Sequence, residues 1–223
     1  MEVMGLSRFI HELVNVPFIK RMITGNRTAV RLYFDWKYRR ADPYGLLLSD
    51  YEKTKLDKTA QAVAAYGPFD SALEIGCGEG GLTVRLAPLA RSLLAVDVSG
   101  AAAARARERL RSLPHVRVER KDILVDDLGG PYDLVAASEV LYYLGIEQIP
   151  LAAGIISAMV KPGGWLLLAH ARALADDASG VDRKSFGART IHGAFLAGGG
   201  FTAQADIQEP QYRITLLRKA TGA

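Results

Sequence analysis

Residues 74–81 read Glu74-Ile75-Gly76-Cys77-Gly78-Glu79-Gly80-Gly81, with four glycines between Gly76 and Gly81. The apolar pair Ala72-Leu73 runs straight into them. An apolar run of strand length that ends in bare glycines predicts a buried strand followed by a tight turn. Glycine there permits positive φ and lets a ligand approach the main chain with no Cβ in the way. A helix is predicted from about Leu82, and its free N–H groups would favour an anionic group at the turn.

Outward from this loop the pattern alternates. Apolar runs of strand length occupy 71–75, 92–97, 116–120, 132–137 and 164–170, with helical stretches between them, clearest over 101–113 and 148–160. Buried strands alternating with helices predict a parallel sheet covered on both faces. Ser49 or Asp50 is expected to cap a helix over about 51–66. Ile191–Leu196 reads as helical and ends at Gly198-Gly199-Gly200, with two closing strands at about 202–208 and 212–217. The expected fold is therefore α/β: a Rossmann-like, doubly wound, seven-stranded and mostly parallel sheet with an antiparallel C-terminal strand.

Two cofactors fit the loop. Gly76, Gly78 and Gly81 satisfy the dinucleotide pattern G-x-G-x-x-G, with Asp97 about 20 residues on for ribose hydroxyls. Glu74, Gly76, Gly78 and Gly80 fit the acidic-x-G-x-G-x-G pattern of S-adenosylmethionine enzymes equally well, with Asp97 in the same ribose role and the adjoining Val98 and Ile123 as further cofactor contacts. The surroundings decide. The Tyr-x-x-x-Lys match, Tyr51 to Lys55, precedes the loop, whereas short-chain nicotinamide enzymes carry theirs after it. The methyltransferase pattern continues in order: Lys121-Asp122-Ile123 after the third strand, Asp133-Leu134-Val135 leading to Ser138-Glu139, and Val160-Lys161-Pro162-Gly163-Gly164. Asp122 is placed to accept from an adenine amino group. Four motifs in sequence are far more specific than one.

The totals bound the rest. At 223 residues and 49% hydrophobic content the chain suits one α/β domain with a short extension. No apolar stretch reaches the roughly 18–20 residues of a membrane span, and no signal peptide is read at Met1. A single cysteine, Cys77, excludes an intramolecular disulfide and fits a reducing cytoplasm, where it is read as a small filler. Net charge is +4, but eight Lys/Arg between Arg8 and Arg40 face only Glu12 and Asp35, so that segment is +6 and the remainder −2. Residues 1–41 are thus read as a basic amphipathic extension and 42–223 as the catalytic domain. Phe9, Leu13, Phe18, Ile19, Met22 and Ile23 suggest one or two short helices broken at Pro17. The sequence leaves open whether they pack on the domain, on a partner subunit such as a second copy, or on a membrane surface.

From about Asp42 to Arg218 the chain resembles the nodulation-protein-S family. The residues that carry the resemblance are Asp42-Pro43-Tyr44, Tyr51-Glu52 with Lys55, Glu139-Val140-Leu141-Tyr142-Tyr143-Leu144, Leu168-Ala169-His170, Phe186-Gly187-Ala188 and Pro210-Gln211-Tyr212-Arg213. That family often has Trp where Tyr44 stands, and Arg is common near Lys55. The resemblance implies methyl transfer to a small polar acceptor of the sugar or amino-sugar kind, at nitrogen or oxygen.

Such an acceptor must shed a proton, which calls for a base at the mouth of the fourth or fifth strand. His170 and Glu139 are the two candidates. Tyr142 and Tyr143 are expected to line the acceptor pocket, and Tyr44 to cover the methionine end of the cofactor. Ser138 is taken as a further cofactor contact. Lys55 or Arg85 is read as a partner for the cofactor carboxylate, and His192 as mainly helix surface. No metal is expected, since Asp126-Asp127 is the spacing of a helix start rather than of ligands. A nucleic-acid methyltransferase using the basic segment on phosphate is the alternative, against which stands the lack of an Asn/Asp-Pro-Pro-aromatic block after the fourth strand. A non-catalytic cofactor-binding partner is the other.

Overall fold

In a computed structural model of the chain, the described residues are 26–45, 47–175, 177–178 and 186–222. The expected helices before Asn26, with Phe9 through Ile23 and three of the eight basic residues, lie outside them. Seven strands form one sheet in the order β3-β2-β1-β4-β5-β7-β6. They are β1 Ala72–Ile75, β2 Leu93–Asp97, β3 Val116–Arg120, β4 Tyr132–Ser138, β5 Val160–Ala171, β6 Phe201–Gln208 and β7 Tyr212–Lys219. β1 to β5 pair in parallel, and β7 enters antiparallel between β5 and β6. Strand order turns back on itself at β1, flanked by β2 and β4. A ligand site is expected beyond the carboxyl ends of the strands there.

Burial explains why these segments are strands. Every residue of β1 and β2 is buried, as are the central four of β4 and Trp165–Ala171 of β5. Apolar side chains on both faces require cover on both faces. β6 instead exposes Gln204, Asp206 and Gln208 in part or whole and shifts register between Ala203 and Ala205, as an edge strand does to discourage further pairing. β5 starts earlier than the expected 164. Val160 pairs with Tyr132 and Trp165 with Leu134, so Lys161-Pro162-Gly163-Gly164 bulges between two points of pairing.

The helices are α1 Arg27–Lys37, α2 Asp50–Ala64, the single turn α3 Thr83–Leu86, α4 Gly100–Arg109, α5 Ile149–Met159 and α6 Ala188–Ala197. Local signals set their starts. The Ser49 hydroxyl accepts from Glu52 N–H at the head of α2, and Ser99 accepts from Ala102 N–H at 3.2 Å at the head of α4. α5 and α6 close one face of the sheet with Ile156, Ile191 and Phe195, while α2 packs Leu56, Ala60 and Val63 against the other.

α1 departs from the expected boundary at residue 42. Val30 and Phe34 are buried, and three acid–base contacts pin the helix to the ends of β2 and β3. Arg27 pairs with Asp122, Arg31 with Asp126, and Asp35 with Arg120. Asp35 also accepts from the Ser99 hydroxyl at 2.9 Å. From Arg27 onward the basic segment is therefore a wall of the domain. Two of its cations, Arg27 and Arg31, meet carboxylates beyond the end of β3, while Arg39 and Arg40 stay exposed. No helix among the described residues is long and apolar enough to cross a membrane.

Candidate active site

A cavity of about 340 Å³ opens at the carboxyl ends of β1, β2 and β4. The glycine loop forms its floor. Gly76 N–H and Cys77 N–H both donate to Val96 O, at 2.8 and 3.0 Å, folding the chain back against β2. Gly76 sits at φ 73 and Gly78 at φ 53, where side chains are strained. A Cβ on Gly76 would lie 2.3 Å from Val140 Cγ2, so no larger residue fits. Gly80, expected at the cofactor, does not line the cavity; at φ 84 it turns toward Leu110 and Ala106 behind the loop, and Gly81 lines the cavity instead. Cys77 is a buried filler at the loop.

Asp97, last residue of β2, is buried at the rim. Its Oδ2 accepts from Gly78 N–H at 2.9 Å and its Oδ1 from Ser99 N–H at 2.8 Å. This carboxylate ties the glycine loop to the turn before α4 and still faces the cavity with Val98. Burial pushes its pKa up to about 6. Glu74 is likewise buried and lines the cavity, and burial raises it to about 7. Its Oε2 has no hydrogen-bond partner. A buried, orphaned carboxylate oxygen beside bare main chain fits a ligand that brings its own donors and positive charge.

A pH signature follows. Both groups lie above the ordinary value near 4, so in that window the folded chain holds protons that the unfolded chain would release. Their contribution to stability is therefore greatest at acid pH and declines as pH rises from about 4 through 7. A cationic ligand favours the ionised carboxylates, so its binding releases protons. Affinity for S-adenosylmethionine should thus increase from about pH 5.5 to about pH 7.5. Calorimetry in two buffers of different ionisation heat reads the released protons; an affinity that stays flat would contradict the arrangement.

Ile123 and Ser138 line the cavity. Asp122 also lines it but arrives already engaged. Arg27 Nε and Nη2 each donate to it at 2.7 Å, and Leu124 N–H donates at 3.1 Å. An adenine amino group would meet an Asp122–Arg27 pair rather than a free carboxylate, because α1 lies closer than any motif indicated. Val30, Phe34 and Tyr38 of α1 also face the cavity. Tyr44 and Tyr143 face each other there, with ring centroids 6.3 Å apart, and burial raises both phenols above their ordinary value.

The far end of the cavity is built differently. Glu139 follows β4 with φ 53, a strained conformation for a non-glycine residue. Its N–H donates to Ala169 O at 2.8 Å. Its Oε2 accepts from the Tyr142 hydroxyl, while Oε1 has no hydrogen-bond partner and meets Lys55 Nζ at 3.5 Å. Lys55, buried on α2, pairs more closely with Glu52 at 2.7 Å. Burial works to lower the Lys55 pKa, but Glu139 and Glu52 outweigh it and hold it above the usual lysine value. Lys55 is therefore a fixed cation, not a base. Tyr51, Gln211 and Tyr212 complete this end. Arg85 is not part of it, being paired with Asp57 and with Gly81 O outside the lining.

His170 is not where a base is needed. It is fully buried and off the cavity lining, with Nε2 accepting from Leu141 N–H at 3.3 Å and Nδ1 against His192 Nε2 at 3.1 Å. The reason is strand alternation. His170 shares a face with Leu166 and Leu168, which pack toward Ile191 and Phe195 of α6, while Trp165, Leu167 and Ala169 pack on the other face. His192, expected on the helix surface, is fully buried against His170. Among the described residues no three His, Cys, Asp or Glu are grouped to hold a metal ion.

Sheet order and cavity together define a class: a Rossmann-like domain with a cofactor cavity at the carboxyl ends of its strands, the arrangement that S-adenosylmethionine-dependent methyltransferases share. The cofactor would rest on Gly76 and Gly78, with Asp97 at its ribose and Glu74 near its charged end. Comparison with known proteins agrees. The sequence pattern of the nodulation protein S (NodS) family matches residues 29–192. The chain belongs to that family. Nodulation protein S of Rhizobium tropici is 34% identical over 132 residues, 59% of this chain and 56% of that one. A ubiquinone biosynthesis O-methyltransferase of Burkholderia ambifaria is 39% identical over 103 residues, 43% of this chain and 41% of that one. The chain's match spans less than two thirds of the Rhizobium protein's length. Among solved structures, the N-methyltransferase NodS from Bradyrhizobium japonicum WM9 in complex with S-adenosyl-l-homocysteine superposes with TM-score 0.74 and 26% identity, over 85% of this chain and 97% of that one.

Proposed function

We propose that this chain moves the methyl group of S-adenosylmethionine to a nitrogen or oxygen of a small polar acceptor, a sugar or amino sugar, with nitrogen favoured. One observation carries the reading. Glu139 lines the end of the cavity away from Asp97, with Oε1 buried without a hydrogen-bond partner 3.5 Å from Lys55 Nζ. When bound, the cofactor supplies an electrophilic methyl on a positive sulfur. An amine at neutral pH is an ammonium and has no lone pair until a proton leaves. In this reading Glu139 holds that ammonium by charge and then takes its proton, and its hydrogen bond from the Tyr142 hydroxyl orients the carboxylate. Tyr51 and Tyr212 line this end as an edge-to-face pair, an aromatic wall for the apolar side of a sugar.

The names of two similar proteins, one an N-methyltransferase and one an O-methyltransferase, support methyl transfer to either atom. We place the activity in the cytoplasm, where the one cysteine stays reduced. The test is transfer of a labelled methyl group to a panel of amino sugars, their N-acetylated forms and simple glycosides. Product on free amino sugars supports the reading. Product on none of the panel, with the cofactor bound, overturns the acceptor class.

A further inference from the structure

A hydrogen-bonded chain of polar groups runs through the buried layer between the sheet and α6, apart from the cavity. Leu141 N–H donates to His170 Nε2 at 3.3 Å. His170 Nδ1 meets His192 Nε2 at 3.1 Å, and His192 Nδ1 meets Thr215 Oγ1 at 2.7 Å. The Thr215 hydroxyl donates to Asp206 Oδ1 at 3.2 Å. Both imidazoles and Thr215 are fully buried. Asp206 is partly exposed on β6 and held ionised by Arg213, whose Nε and Nη2 lie at 2.6 and 3.0 Å. Those contacts keep its pKa below the usual carboxylate value.

The two ends fix the sense of every link. A backbone N–H only donates and an ionised carboxylate only accepts. The three groups between carry one shared proton each, so all three must donate toward Asp206. Both histidines are then neutral with the proton on Nδ1, the less common form. Burial, which lowers His192 to about 3, agrees with this.

We infer that the set His170, His192, Thr215 and Asp206 positions the loop from Glu139 to Leu144 for methyl transfer. The loop needs such a hold. Glu139 is strained at φ 53, and Leu141, two residues on, is buried, so its N–H would be an orphan without His170. The Tyr142 ring packs edge-on against His170 with centroids 5.9 Å apart, and its hydroxyl sets the Glu139 carboxylate. A proton on His170 Nε2, or loss of the acceptor at Thr215, would release the loop. The role in turnover rests on the reading of Glu139 above; the proton arrangement does not.

Two experiments test it on the full chain. With His11 and His115 replaced by Gln, long-range 1H–15N spectra at neutral pH should show two imidazoles, both protonated on Nδ1 and bare on Nε2. A proton on Nε2 of either, or an imidazolium, overturns the inference. Thr215→Val removes the acceptor for His192 and should lower kcat about tenfold or more, with the KM for S-adenosylmethionine unchanged. It should also speed hydrogen exchange at the Leu141 amide by a similar factor, and Thr215→Ser should restore both. Unchanged kcat and exchange in Thr215→Val overturn the positioning role. If Thr215→Val does not fold, the spectra and Thr215→Ser, expected to keep native kcat and exchange, decide. A chain with the expected tautomers and fast exchange in Thr215→Val but no methyl transfer would sink the reading of Glu139 alone.

Discussion

Glu139→Gln is expected to lower kcat for methyl transfer by about a hundredfold or more, the usual worth of a positioned base. The affinity for S-adenosylmethionine should stay within about twofold, since the cofactor is proposed to rest mainly on Gly76, Gly78 and Asp97. Glutamine keeps the shape of the side chain and an oxygen for the Tyr142 hydroxyl. It carries no charge for an ammonium and accepts no proton. Lys55 would keep its closer partner Glu52, at 2.7 Å, so α2 should remain in place. Single-turnover rates with saturating cofactor separate the effect from binding. A rate within about threefold of the parent would remove Glu139 from the chemistry.

The second large effect is expected at Asp97. Asp97→Ala should weaken binding of S-adenosylhomocysteine by about a hundredfold or more. The carboxylate accepts two backbone N–H groups, from Gly78 and Ser99, and both would be left without a partner at a buried site. Hydrogen bonds to a charged group are worth about 1.5–3 kcal/mol each, and about 1.4 kcal/mol is a factor of ten. Loss of ribose contacts alone therefore reaches the expected range, before any loosening of the glycine loop is counted. Calorimetric titration of the folded variant checks it. An unchanged dissociation constant would mean that the ribose lies elsewhere.

The sheet was legible because its strands are apolar on both faces and its turns are marked by glycine. Positions from Glu74 to Asp97 could be placed by motif, since each is defined by its distance along the chain from a strand end. Gly80 shows the limit of that method. A pattern of glycines does not say which of them faces the ligand and which faces the helix behind; a Cβ on Gly80 would meet Leu110. His170 shows a second limit. Spacing put it correctly at the end of β5, but two neighbouring residues on a strand point to opposite faces. Which face holds α6 is a fact of packing, not of spacing. α1 was hidden for a third reason. Its charges read as a basic arm because the acids that neutralise them, Asp122 and Asp126, lie about 95 residues further on. Only the folded sheet brings them together. Arg27, Phe34 and Tyr38 carried no motif at all, although Arg27 had a signal in hindsight, an arginine one residue after a capping Asn26.

The cavity over Gly76 and Gly78 is expected to take a sulfonium nucleoside or its demethylated product. Isothermal titration of the intact chain with S-adenosylhomocysteine, and separately with NAD, tests it most directly. Saturable one-to-one binding of S-adenosylhomocysteine, competed by S-adenosylmethionine, is expected, with no heat from NAD. Binding of NAD with no response to S-adenosylhomocysteine would contradict it.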